Sequence, residues 1–168
     1  CIFKHLTKKT SDDLREAFIK CAAAETFFLW HKYKKDKNGG DADTKLNSGT
    51  IPEDFKRQMF YTFGDFRDLC LGKDIGTDVD TVKSNIREVF ENSNRNGGTT
   101  ITAEHWWDEN GPLIWHGMLC ALTQGVTNRE KKTKIKNDYS YDELNKSQNG
   151  NASLEDFASK PQFLRWMI

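Results

Sequence analysis

Histidines, cysteines, two polar loops and two lysine-rich runs are where this 168-residue chain could do chemistry, and their spacing narrows the choice. His5, His31, His105 and His116 stand apart, with no His-Glu-x-x-His pair, nucleophile elbow or phosphate-binding glycine loop beside them. Catalysis needs a convergent set of nucleophile, base and charge stabiliser. His105 and His116 neighbour tryptophans, where a histidine can titrate near neutrality, but packed or surface histidines are far commoner than catalytic ones. The chain is read as a non-enzyme with no catalytic residues.

Metal and cofactor sites fare no better. Cys1, Cys21, Cys70 and Cys120 lack any Cys-x-x-Cys spacing, which argues against zinc. Their even number fits either buried thiols or bridges. Two polar stretches imitate a calcium loop. Asn92-x-Asn94-x-Asn96-Gly97 has Ala103 where the closing acid belongs. Asn145-x-Ser147-x-Asn149-Gly150 reaches Asp156 at the twelfth place but offers amides and a hydroxyl in place of carboxylates. Asn-Gly turns account for both, so no metal and no cofactor is expected.

The basic runs are the recognition features. Lys32, Lys34, Lys35 and Lys37 close the first helical stretch, where cations also suit the helix dipole. Arg129, Lys131, Lys132, Lys134 and Lys136 lie in a polar stretch further on. Either run can hold sulfates or carboxylates through charge-assisted hydrogen bonds. The plainer reading is a solvated, salt-screened surface. With 25 basic and 25 acidic residues and a pI near 7.1, no global field draws the chain to nucleic acid or an acidic membrane. Glu25 borders an apolar stripe and is expected to pair with Arg67 or Arg165, because an unpaired buried carboxylate is costly. Asn145-Lys146-Ser147 and Asn151-Ala152-Ser153 match the N-glycosylation acceptor pattern.

The elements that must position these residues are helical. The length allows one sizeable core, and no apolar run is long enough to span a membrane. Leu14, Phe18, Cys21, Ala22, Phe28 and Leu29 mark a helix over about 12–35, with Thr10 or Ser11 as cap. A loop follows over 38–49. Thr50-x-x-Glu53 suggests a capping box opening a helix over 51–70, with Phe55, Met59, Phe63, Phe66 and Cys70 on its face, ended by Gly72 and Gly76. Val82, Ile86, Val89 and Phe90 mark a helix over 79–90, and 92–100 is a polar loop. Thr102 caps a tryptophan-laden helix over 102–123, kinked or restarted at Gly111-Pro112. Residues 124–148 are polar, with room for a short helix after Ser140, and Ser153 caps a last helix through Trp166. Phe18, Leu29, Trp115 and Met118 are expected in the core, and the tryptophans read as core rather than as a sugar-stacking platform. The fold class is all-α, a bundle of four to five helices with long polar loops and no strand.

Three blocks and a closing segment carry a resemblance. They are Cys21-Ala22-Ala23-Ala24-Glu25-Thr26-Phe27-Phe28-Leu29-Trp30, then Ile51-Pro52-Glu53-Asp54-Phe55-Lys56-Arg57-Gln58-Met59-Phe60-Tyr61 running into Gly64-Asp65-Phe66-Arg67-Asp68-Leu69-Cys70-Leu71-Gly72. The third is Trp106-Trp107 with Asn110-Gly111-Pro112, Ile114-Trp115 and Gly117-Met118-Leu119-Cys120-Ala121-Leu122. The end is Lys160-Pro161-Gln162-Phe163-Leu164-Arg165-Trp166-Met167. In this order they resemble the second subdomain of a Duffy-binding-like domain of the Plasmodium falciparum erythrocyte membrane protein 1 adhesins. Lys134 to Tyr141, Asn149-Gly150-Asn151 and Lys160-Pro161-Gln162-Phe163 most resemble the placental, chondroitin-sulfate-binding variant.

The resemblance implies a disulfide between Cys21 and Cys120, with partners of Cys1 and Cys70 elsewhere in the domain. It implies that residues 1–11 are the tail of a preceding subdomain, that 12–168 form the helical subdomain, and that Cys1 and Ile168 are cut ends of a larger protein. It further implies a membrane-anchored protein on the extracellular face of infected erythrocytes, with sequons unused in the native setting. The implied partners are a host receptor (a glycosaminoglycan such as chondroitin sulfate A), neighbouring subdomains and antibodies. A protein-receptor module (for ICAM-1 or immunoglobulin) or a structural spacer is the alternative.

Overall fold

The computed structural model describes residues 10–36, 40–73, 80–95, 101–146 and 152–167. Helix α1, Ser11–Asp36, starts at a reciprocal cap in which Thr10 Oγ1 accepts from the Asp13 N–H and the Asp13 carboxylate accepts from the Thr10 N–H. Leu14, Phe18, Ala22, Thr26 and Trp30 recur every four residues and bury one stripe of α1. Helix α2 is Gly40–Asn47, α3 is Glu53–Cys70, α4 is Asp80–Arg95 and α5 is Ala103–Leu122. Thr102 caps α5, its side chain accepting from the His105 N–H. A 3-10 turn at Thr123–Gly125 leads to α6, Arg129–Asp138, and α7, Tyr141–Asn145. Helices α8, Leu154–Ser159, and α9, Gln162–Met167, complete the chain.

Helices α1 and α5 form the spine and run in the same direction. Near their starts Trp106 Nε1 donates to Ser11 Oγ at 2.9 Å. Midway Ile19 lies against Gly117, and near their ends Trp30 and Leu122 line one cleft. Helix α3 packs on both. Phe18, Phe55, Phe63, Trp106, Trp107 and Trp115 are almost completely excluded from solvent. Aromatic pairs tie the layers together, with Phe63 5.0 Å from Trp107 and 5.6 Å from Trp115 between ring centroids.

Several expectations change. The 38–49 loop contains α2, which buries Ala42 and Leu46. The polar stretch 124–148 holds α6, which was not expected, while the short helix expected after Ser140 is α7. The last helix is two, because Pro161 drives Lys160 out of helical conformation, to ψ 145. No capping box forms at Thr50: α3 begins after Pro52 without a side-chain cap. Helix α5 runs through Pro112 without ending, and it buries Trp106, Trp107, Ile114, Trp115 and Met118 against its neighbours. That burial offsets the roughly 3 kcal/mol cost of an interior proline. Helix α4 continues to Arg95, so Asn92 lies on a helix and not in a loop. Leu29 is half-buried and Trp166 is 72% exposed, so neither is a core residue.

The expected bridge between Cys21 and Cys120 does not form: Cys21, Cys70 and Cys120 are all thiols. Ile19 is the α1 residue that faces α5 at Gly117, and Cys21 lies about 200° further round the helix. Cys21 instead lines a groove beside Phe66, while Cys120 Sγ is 3.4 Å from His116 Nε2 on its own helix. Cys1 lies outside the described residues.

Candidate functional site

Helix α6 carries five cations, exposed at Arg129 and Lys134 and half-buried at Lys131, Lys132 and Lys136, and the fold anchors it at several points. Asn128 caps it by accepting from the Lys131 N–H at 3.0 Å. Ile135 is its buried anchor. Just past its end Trp115 Nε1 donates to the Tyr139 carbonyl at 2.8 Å, and Tyr139 Oη accepts from the Ile51 N–H at 3.2 Å. Gly49, with φ +94, opens space for α6: a Cβ there would stand 3.1 Å from Lys134 Cδ and 3.4 Å from Lys131 Cδ. The stems of these two lysines therefore pack as apolar matter.

The cations divide by face. Lys134 pairs with Asp138, and that hydrogen bond is the main reason its pKa lies above the ordinary value. Arg129, Lys132 and Lys136 fall within about 60° of one another on α6 and extend about 10 Å along it. None of the three has a carboxylate within ion-pair distance among the described residues. They form a cationic stripe.

The run at the end of α1 is split instead of gathered. Lys34 pairs with Asp43 of α2 at 3.2 Å and lies 6.0 Å from the Trp30 ring centroid. Lys32 is on the opposite side of α1, in a cleft between α1 and α3 with Glu25 and Asp54. Lys35 is exposed, and Lys37 lies outside the described residues.

Among the described residues Glu25 pairs with no arginine. Arg165, fully buried, reaches Asp65 and Asp68 of α3, each at 2.8 Å, and donates to the carbonyls of Ala158 and Lys160. Arg67 goes to Glu155 at 3.4 Å. Glu25 opens on the α1–α3 cleft, where it keeps contact with water; confinement there raises its pKa, and Asp65 adds to the rise. Asp65 and Asp68, three apart on one helical face, were the sequence signal for the Arg165 partners. Burial also pushes the Cys70 thiol up to about 12, assisted by Glu104 and opposed by Arg67.

The calcium-like loop is committed elsewhere. Asp156, its twelfth residue, completes a capping box with Ser153 at the start of α8. Asn145 donates to the Tyr141 carbonyl and accepts from the Glu155 N–H. Its amide is thus engaged inside the fold, which opposes glycan attachment. No group of three or more acidic, histidine or cysteine residues that could hold a metal occurs among the described residues. Asn94 lies on α4, so it is not in a loop, and Asn96, Asn149 and Asn151 fall outside the described residues. No helix among the described residues is long and apolar enough to cross a membrane.

The Duffy binding domain matches residues 2–165, almost the whole chain, and the chain belongs to that family. These domains are non-enzymatic and typical of surface-exposed Plasmodium adhesins that bind host receptors. Among curated relatives, the Duffy receptor of Plasmodium vivax (strain Salvador I) is 31% identical over 90 residues. That alignment covers 49% of this chain and 8% of the relative, so the matched part is under a tenth of the relative's length. No solved structure matches the chain.

Proposed function

We propose that this domain is the receptor-binding part of an erythrocyte membrane protein 1 adhesin of Plasmodium falciparum, most similar to the placental variant. The adhesin is displayed on the extracellular face of infected erythrocytes as part of a membrane-anchored protein. Helix α6 receives a sulfated glycosaminoglycan such as chondroitin sulfate A. One observation carries this reading: Arg129, Lys132 and Lys136 form a stripe on a well-anchored helix with no carboxylate in ion-pair reach among the described residues. In a chain with equal basic and acidic residues, capture of a polyanion requires such a local field. Sulfates would take charge-assisted hydrogen bonds from the stripe, and counterions would be released, as on nucleic acid.

The test is binding to sulfated and desulfated chondroitin across a salt series, with wild type and Arg129→Gln/Lys132→Gln/Lys136→Gln compared. Sulfate-dependent binding that weakens with salt, with a flatter slope in the triple variant, is expected. Equal affinity and slope for both proteins would move the glycan site off α6. Absence of binding to either glycan would turn the reading to a protein receptor.

A further inference from the structure

Helices α1 and α3 flank a groove that no described element fills. Two clefts of about 660 Å³ and 500 Å³ share Glu25, Leu29 and Lys32 and so form one channel along α1. Its apolar walls include Phe28, Leu29, Tyr33, Tyr61, Phe66 and Trp166. Phe28 is 68% exposed and Trp166 is 72% exposed. Large aromatics opening together to solvent mark an interaction surface. From Cys21 to Asp36 the channel follows α1 for about 22 Å, the length of a four-turn helix lying alongside.

Charge selects the occupant. The lining carboxylates Glu25, Asp36 and Asp65 face two lysines, Lys20 and Lys32, and Lys20 is already paired with Glu16. Asp65 is neutralised by Arg165. Glu25, in both clefts, has no cation in ion-pair reach among the described residues.

We propose that this groove seats an amphipathic helix of a separate polypeptide, with apolar residues at i, i+3, i+4 and i+7 and an arginine or lysine that meets Glu25. A second copy fits poorly, since a two-fold contact sets the same acidic channel against itself. None of the lining residues belongs to α6, so the proposal stands apart from the glycan reading.

Trp166 is the reporter, because Trp30, Trp106, Trp107 and Trp115 are buried. The chain is titrated with two synthetic helical peptides of about 15 residues. They share one apolar face and differ by Arg or Glu at the place facing Glu25. The Arg peptide should blue-shift Trp166 emission and shield it from acrylamide, with the shift absent in Trp166→Phe. Glu25→Gln should weaken it by roughly fivefold, the scale of one partly buried charge pair, and Phe28→Ser should weaken it at an exposed position that leaves the fold intact. Equal binding of the Glu peptide, or Arg-peptide binding unchanged by both substitutions, overturns the proposal. So does a spectral shift that persists in Trp166→Phe. Shielding that grows with protein concentration alone, with doubled mass by light scattering, overturns it in favour of a second copy.

Discussion

Arg165 and the α6 stripe carry the same kind of charge and do opposite things with it. Arg165 is completely enclosed and meets two carboxylates and two carbonyls, so the fold consumes its charge. Arg129, Lys132 and Lys136 rest on a helix held by Ile135 and Asn128, with no carboxylate in ion-pair reach among the described residues. A cation therefore points to a ligand only where tertiary structure leaves it unspent.

Breaking the enclosed side should give the largest effect. Arg165→Ala leaves the nearly fully buried Asp68 with only Lys73 at 3.8 Å among its described ion-pair partners, and should cost about 3–5 kcal/mol, read as a fall in the denaturant midpoint at constant slope. A loss under about 1 kcal/mol would mean that the pair is not buried in solution. Gly64→Ala attacks the same hub sterically, because its Cβ would stand 2.9 Å from Arg165 Nε. About 1–3 kcal/mol should be lost, by thermal or chemical unfolding.

Smaller changes separate the two regions further. The Glu25 carboxyl is held above its ordinary value, first by burial and then by Asp65, so folding favours its protonated form. That contribution is complete below the unfolded pKa and is lost as pH rises through the folded one. Glu25→Gln should therefore be slightly more stable than wild type at neutral pH and indistinguishable from it near pH 3, where the unfolded carboxyl is also protonated. A gain that is the same at both pH values would remove titration as its cause. The smallest stability effect belongs to the stripe: Arg129→Gln/Lys132→Gln/Lys136→Gln should shift unfolding by no more than about 0.5 kcal/mol in all, since exposed or half-buried cations without an ion-pair partner contribute little. A larger loss would show that these side chains hold the fold.

The long helices were legible because each buries a repeating stripe: Leu14, Phe18 and Ala22 in α1, Phe55, Met59 and Phe63 in α3, and Trp115 with Met118 in α5. Helices α2 and α6 escaped because they bury only Ala42 with Leu46 and Ile135, respectively. Such short helices draw stability from tertiary packing more than from their own pattern. The stripe residues could be named from sequence but not sorted: nothing local shows that Lys134 is spent on Asp138 or that Lys32 and Lys34 part company around α1. Arg165 was a named candidate, but its partners lie about a hundred positions back in the chain. The α1–α3 groove left no signal, because Phe28 and Leu29 satisfy the same apolar pattern as core residues.

The shared direction of α1 and α5 has a consequence for how the sequence can change over generations. Two neighbouring helices that run the same way need a long crossover, here everything from residue 37 to 102. Once a connector is that long, lengthening it costs little, because each doubling adds only about 0.6 kcal/mol of closure entropy. Insertions between the framework helices can thus accumulate while Trp106 still finds Ser11 and Ile19 still finds Gly117, and the exterior can diversify around an unchanged interior.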